Sequence, residues 1–254
     1  GNYTVSLNTA SGTITPATLT VGGLSANNKV YDSTTAASFS GTATPTGAFA
    51  GDTVGISGGA LGSFADKNVG TAKAVTLDIT SLSLSGTDAG NYVLASPGGY
   101  TANITPATLT LSAQTDSRTY NATTSSSVLP TASGLFGSDS VTSLSQSFDS
   151  KNAGSRTLSV NGGYVVNDGN SGGNYTVSLG TASGTITPAA LTLSAQTDSR
   201  TYNATTNSSL LPSISGLFGA DTVTSLSQSF DSKNAGARTL SVNGGYSVND
   251  GNSG

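Results

Sequence analysis

The chain contains no cysteine, no histidine and no glutamate. Without histidine and cysteine it lacks the usual nucleophile–base pairs and the common zinc ligand sets. All 13 acidic residues are aspartate, so no Asp–Glu acid/base dyad exists, and no pair of carboxylates in matched environments is apparent. Nothing here points to an enzyme, and no cofactor is expected. Charge is sparse: nine Lys plus Arg against those 13 acids give a net charge of −4. No basic stripe is present, which argues against a nucleic-acid partner. No apolar run of about 20 residues is present either, so no helical membrane insertion is expected in this segment. The absence of cysteine rules out disulfides but does not fix the compartment. Ser, Thr, Gly, Ala and Asn dominate instead. They give a polar, nearly uncharged surface that suits a solvated extracellular stalk better than a crowded cytosol.

What the chain does have is repetition. Residues 106–172 and 188–254 align without a gap at an offset of 82 and differ at nine of 67 positions. The opening segment, Gly1–Thr15, matches Gly173–Thr187 at 14 of 15 positions. Asn249–Gly254 repeats the hexapeptide that, at Asn167–Gly172, runs straight into Gly173-Asn174-Tyr175. The expected organisation follows from these matches. Residues 1–15 are the last two strands of a preceding module, and 16–105 and 106–187 are complete modules. Residues 188–254 form a third module lacking its last two strands. The whole reads as one period of a longer array. Tyr3, Val5, Leu7 and Ile14 repeat the apolar positions Tyr175, Val177, Leu179 and Ile186, and are the expected inter-module strand contacts. Two arrangements satisfy this: one continuous polypeptide, or subunits that donate Gly1–Thr15 to a neighbour. Both are head-to-tail and open, and so generate a fibre.

The pattern within a module is that of strands. Leu109, Leu111 and Ala113 alternate with Thr110 and Ser112. Leu144, Gln146 and Phe148 share one face, as do Leu158 and Val160. Turn clusters separate these runs at Ser133–Asp139, Ser150–Gly154, Asn161–Gly163 and Asn167–Asn174. No helical period competes, which disfavours a β-grasp. The expected class is all-β: tandem small antiparallel β-sandwiches, immunoglobulin-like, arranged end to end as a rod. Ile-Thr-Pro recurs at Pro16, Pro106 and Pro188. There the last strand of one module passes through a stiff residue into the next. Tyr31, Tyr120 and Tyr202 are equivalent and expected in the core, as are Phe64, Phe148 and Phe230.

Several groups could carry more than structure. The Asp-Asn-Gly loops offer Asp168 and Asp250 as weak Ca²⁺ ligands, or are plain turns. Lys67, Lys151 and Lys233 each precede an asparagine, in a turn that is either solvated or the site of an intramolecular Lys–Asn cross-link. The Asn-x-Ser/Thr triplets led by Asn121 and Asn203 are possible glycosylation sites, as are those at Asn2, Asn103, Asn174 and Asn207. Tyr100, Tyr164 and Tyr246 follow Gly-Gly and are either core residues or a ligand-binding tip. Asp88-Ala89-Gly90-Asn91-Tyr92 has the spacing of a tyrosine corner, or simply supplies a core aromatic.

A resemblance emerges from motifs in order along the first module. They are Lys29-Val30-Tyr31-Asp32-Ser33-Thr34, Gly51-Asp52-Thr53-Val54, Phe64-Ala65-Asp66-Lys67-Asn68-Val69-Gly70 and Asp88-Ala89-Gly90-Asn91-Tyr92. The series is similar to the YDG/MBG-type repeats of very large bacterial surface adhesins, which resemble filamentous haemagglutinin and leave the cell by two-partner secretion. Ser33 stands where Tyr-Asp-Gly would place glycine; Tyr120-Asn121-Ala122 and Tyr202-Asn203-Ala204 replace the triplet later. The resemblance implies an extracellular, non-catalytic repeat whose partners are further copies or modules of itself, joined head to tail. The alternative function is an adhesin module that binds a glycan or surface protein through loops at one end of each sandwich.

Overall fold

The computed structural model describes residues 1–252. Every regular element among them is a β-strand apart from two 3₁₀ turns, Ile79–Ser81 and Ala89–Asn91. None of the described residues forms a helix long and apolar enough to cross a membrane. The chain divides into two compact units. The first comprises residues 1–108, 134–140 and 167–176; the second comprises 109–133, 141–166 and 177–254.

The first unit is built on a seven-stranded sheet. Its order is Lys29–Val30, Tyr100–Thr105, Gly70–Asp78, Leu61–Phe64, Ala36–Thr46, Ala17–Ala26 and Tyr92–Ala95. Gly55–Gly58 and Leu82–Ser85 form a separate antiparallel pair. Alternation buries Leu19 and Val21 on one strand and Val75 and Leu77 on another, while their polar neighbours face outward. The long pair Ala17–Ala26/Ala36–Thr46 shifts register between Gly22 and Leu24. Gly23 has φ 73° there, and a Cβ on it would lie 2.3 Å from the Thr42 carbonyl oxygen, so only glycine permits this bulge.

Pairing is not purely antiparallel, which corrects the expectation. Ala17–Ala26 runs parallel to Tyr92–Ala95, and Lys29–Val30 parallel to Tyr100–Thr105. In the second unit Asp116–Thr119 runs parallel to Ala182–Thr187. Each parallel pair joins a strand early in a repeat to one late in it, and strands linked by so long a crossover rather than a hairpin are free to run the same way.

In the second unit Gly154–Val160 lies between Gln146–Phe148 and Ala182–Thr187. Leu109, Leu111, Ala113, Phe148, Leu158, Val160 and Ile186 are buried together with Gln146. Gln146 acts as a surrogate strand: its Oε1 accepts from Gln114 N at 2.7 Å, and its Nε2 donates to Gln114 O at 2.9 Å. Buried amides are tolerated only when satisfied in this way. Arg118 lies over the Phe148 ring, 4.8 Å from its centroid, and Arg200 over Phe230 at 4.7 Å.

Residues 188–252 follow the same path with fewer partners. Gly154–Val160 is a seven-residue strand, but its equivalent is reduced to Leu240–Val242. Asp116–Thr119 is a strand, whereas the equivalent residues 198–201 have no regular structure. Ala182–Thr187 pairs with both Asp116–Thr119 and Gly154–Val160, and no strand among the described residues pairs in that way with 198–201 or 236–240. The apolar positions suffer accordingly. Leu191, Leu193, Phe230, Leu240 and Val242 are all half-exposed, although their equivalents are buried.

Gly1–Thr15, which matches Gly173–Thr187 at 14 of 15 positions, forms no strand and stands exposed. Tyr3 is 94% exposed and Ile14 99%, and Val5 and Leu7 are likewise in solvent. Their counterparts Tyr175 and Ile186 are buried, Val177 is half-buried and Leu179 is exposed. The apolar face predicted for that strand therefore narrows to its first residue.

The tyrosines expected in the core also need correction. Tyr31 is fully buried, Tyr120 half-buried and Tyr202 59% exposed. Phe64 and Phe148 are core residues as expected, but Phe230 is only half-buried. The tyrosines belong to a different feature, described next.

Candidate functional site: the tyrosine–aspartate joints

The Tyr-Asp-Ser and Tyr-Asn-Ala triplets make the same turn three times. Asp32 Oδ1 accepts from Thr34 N at 2.9 Å and from the Thr34 hydroxyl at 2.8 Å. Asn121 Oδ1 takes the same two bonds from Thr123, and Asn203 from Thr205. Arg118 Nη1 also donates to Asn121 Oδ1, at 2.6 Å. The side-chain oxygens of the candidate glycosylation asparagines Asn121 and Asn203 thus already serve the turn. The third residue of each triplet lies in the left-handed region: Ser33 at φ 64°, Ala122 at 63° and Ala204 at 65°. That conformation is the physical reason a glycine suits the position.

In the first unit the turn delivers Tyr31 to a buried carboxylate. Asp139 Oδ2 accepts from Tyr31 OH and from Tyr175 OH, each at 2.8 Å. Tyr175 OH in turn accepts from Phe136 N at 2.9 Å. The two tyrosine rings meet edge to face at 5.3 Å, and Phe136 packs edge-on against Tyr31. Lys67 Nζ lies 3.5 Å from Asp139 Oδ1 and above the Tyr31 ring. Lys67 is therefore neither a freely solvated turn lysine nor placed on an asparagine amide; its partner is a carboxylate. Asn174 is fully buried beside this group. Its Oδ1 accepts from Val69 N, its Nδ2 donates to Asn68 Oδ1, and its carbonyl accepts from Ala107 N.

Asp168 holds that asparagine in place. Its carboxylate accepts from the backbone N–H groups of Asn170, Gly172 and Asn174. Burial opposes its ionisation, but those N–H groups together outweigh it and hold the carboxyl below the usual carboxylate range. The residue is a loop-closing acceptor. Asp250 begins the same loop, accepting from Asn252 N at 2.8 Å.

The second unit repeats the joint with equivalent residues. Tyr120 OH donates to Asp221 Oδ2 at 2.9 Å, Phe218 packs edge-on against Tyr120, and Lys151 Nζ lies 3.7 Å from Asp221 Oδ1. The half of the joint that a module presents to its predecessor also exists at Asp52. Tyr92 OH donates to the Asp52 carboxylate and accepts from Phe49 N. The Asp88–Tyr92 segment is thus not an immunoglobulin tyrosine corner: its hydroxyl pins the Phe49–Asp52 loop. Tyr175 does the same for Phe136–Asp139 despite its longer preceding loop.

Tyr100 is excluded as a binding tip in this structure. Its ring stacks edge-on against Phe39 at 5.0 Å, and it packs on the Val21–Leu77–Leu82 core. Tyr164 is half-buried, whereas Tyr246 is exposed.

The two phenols of the joint titrate in alkali. Burial, with Asp139 alongside, pushes the Tyr175 phenol up to about 12 from an ordinary value of 10.0. Burial likewise raises Tyr31. The fold therefore favours the neutral phenols. Their contribution is intact below pH 10 and is lost as the pH climbs through about 12. Thermal melts between pH 9 and pH 12 should show the parent losing stability more steeply than Tyr175→Phe. Parallel curves would contradict the assignment.

The structure thus defines a class: all-β repeats held in sequence by a tyrosine–carboxylate–lysine joint. The chain belongs to the YDG domain family, whose model matches residues 15–99, 105–184 and 187–254. No curated protein and no solved structure matches it.

Proposed function

We propose that this chain is a structural repeat of an extracellular bacterial fibre or giant adhesin stalk. It is one period of an array joined head to tail, its sandwich-like modules set end to end as a rod. The observation that carries this reading is the recurrence of one joint. Tyr31, Lys67 and Asp139 in the first unit are matched residue for residue by Tyr120, Lys151 and Asp221 in the second. A repeat selected for its ligand would vary the exposed loops. Here those residues are spent on binding the next repeat. The strand–Pro106–strand passage, with no flexible spacer, supports a stiff connection. The sparse charge suits a solvated surface outside the cell.

Small-angle scattering tests the shape. Three immunoglobulin-sized modules in line should span on the order of 110–130 Å. A maximum dimension near that of a globule of equal mass would contradict the stalk.

A further inference from the structure

The first unit shows what surrounds Asn174 and Tyr175, and the second unit holds the same surroundings without them. There a cavity of about 120 Å³ is lined by Tyr120, Asn152, Ala153, Ala189, Asp221 and Asn252, among others. These correspond to Tyr31, Asn68, Val69, Ala107, Asp139 and Asn170. Each of those six contacts Asn174 or Tyr175, or shares Asp139 with Tyr175. The correspondence extends to unmet hydrogen bonding. Asn68 Oδ1 accepts from Asn174 Nδ2, whereas its equivalent Asn152 Oδ1 is buried and accepts no hydrogen bond from the described residues. Asp139 Oδ2 accepts two tyrosine hydroxyls; Asp221 Oδ2 accepts one, from Tyr120. A buried acceptor left unpaired is costly, and it marks where a donor belongs.

The geometry points to Asn2–Tyr3 of a second copy of this chain as the occupant. Gly1-Asn2-Tyr3-Thr4-Val5-Ser6-Leu7 is identical to Gly173–Leu179, and it stands exposed and unpaired. Asn2 Nδ2 supplies the donor that Asn152 Oδ1 lacks. Tyr3 OH gives Asp221 its second phenol and accepts from Phe218 N, as Tyr175 does from Phe136 N. The strand that follows lies beside residues 191–195, as Tyr175–Gly180 lies beside the strand that starts at Ala107. Ile14 then covers Phe230 and Leu240, as Ile186 is buried with Phe148 and Leu158. Recognition thus combines strand addition with two anchor side chains. This inference rests on the head-to-tail reading and names its contact.

Binding of a fluorescent peptide with the sequence Gly1–Thr15 to the dilute full chain tests it. The expected result is saturable binding at one peptide per chain. Tyr3→Ala should weaken it at least about a hundredfold, and Tyr3→Phe and Asn2→Ala about tenfold each. On the receiving side, Asn152→Ala should weaken the parent peptide but leave the Asn2→Ala peptide unchanged, since both delete one bond. If parent and Tyr3→Ala peptides bind within threefold of each other, the pocket assignment is overturned and the head-to-tail strand survives. If no peptide binds, both fall together.

Discussion

Phe148→Ala is expected to destabilise the second unit by about 3–5 kcal/mol, and Phe230→Ala by less than half of that. The two phenylalanines occupy equivalent positions, each beneath an arginine. They differ in cover: Phe148 is 2% exposed, whereas Phe230 is half-buried. Denaturant unfolding read by hydrogen exchange resolves the two sites separately. Equal costs would mean that residues 188–252 are as well packed as the complete module, and that no further strand is needed.

The second large effect falls on the joint. Asp139→Ala should cost about 3–5 kcal/mol, because it strands two buried phenols and an ammonium that share one carboxylate. Tyr175→Phe removes a single hydroxyl and should cost about 1–2 kcal/mol. Asp221→Ala should cost less than Asp139→Ala, since Asp221 serves one phenol and Tyr120 is half-exposed. Urea titrations of the three variants give the ranking. If Asp139→Ala unfolds like the parent, the joint is surface decoration.

Much of this was legible in the sequence, and what was missed has physical causes. Alternation gave the strand that buries Leu109 and Leu111. The parallel pairs were missed because short-range alternation carries no direction. Their partners lie about 70 positions apart, as Asp116 and Gly184 do, beyond the reach of any hairpin signal. Tyr31 is in the core as expected, but Tyr120 and Tyr202 were misassigned, because cover for such a ring comes from residues far along the chain that spacing within one repeat does not show. Tyr31 and Asp139 are 108 positions apart, beyond any local spacing rule. One signal was available. Asp52, Asp139 and Asp221 all keep Asp-x-Val, and the residues flanking the last two drift from Ser138 and Ser140 to Ala220 and Thr222. A lone carboxylate held constant amid drifting neighbours has a partner somewhere.

Amide hydrogen exchange on two copies joined from Gly254 to Gly1 tests the central claim most directly. In the joined chain the account predicts protection at the internal Tyr3–Leu7 amides and at the upstream residues 236–240. Exchange there should slow by at least about a hundredfold relative to the single copy. If both segments exchange as fast in the joined chain as in the single one, Gly1–Thr15 is not the missing pair of strands, and the head-to-tail account is wrong.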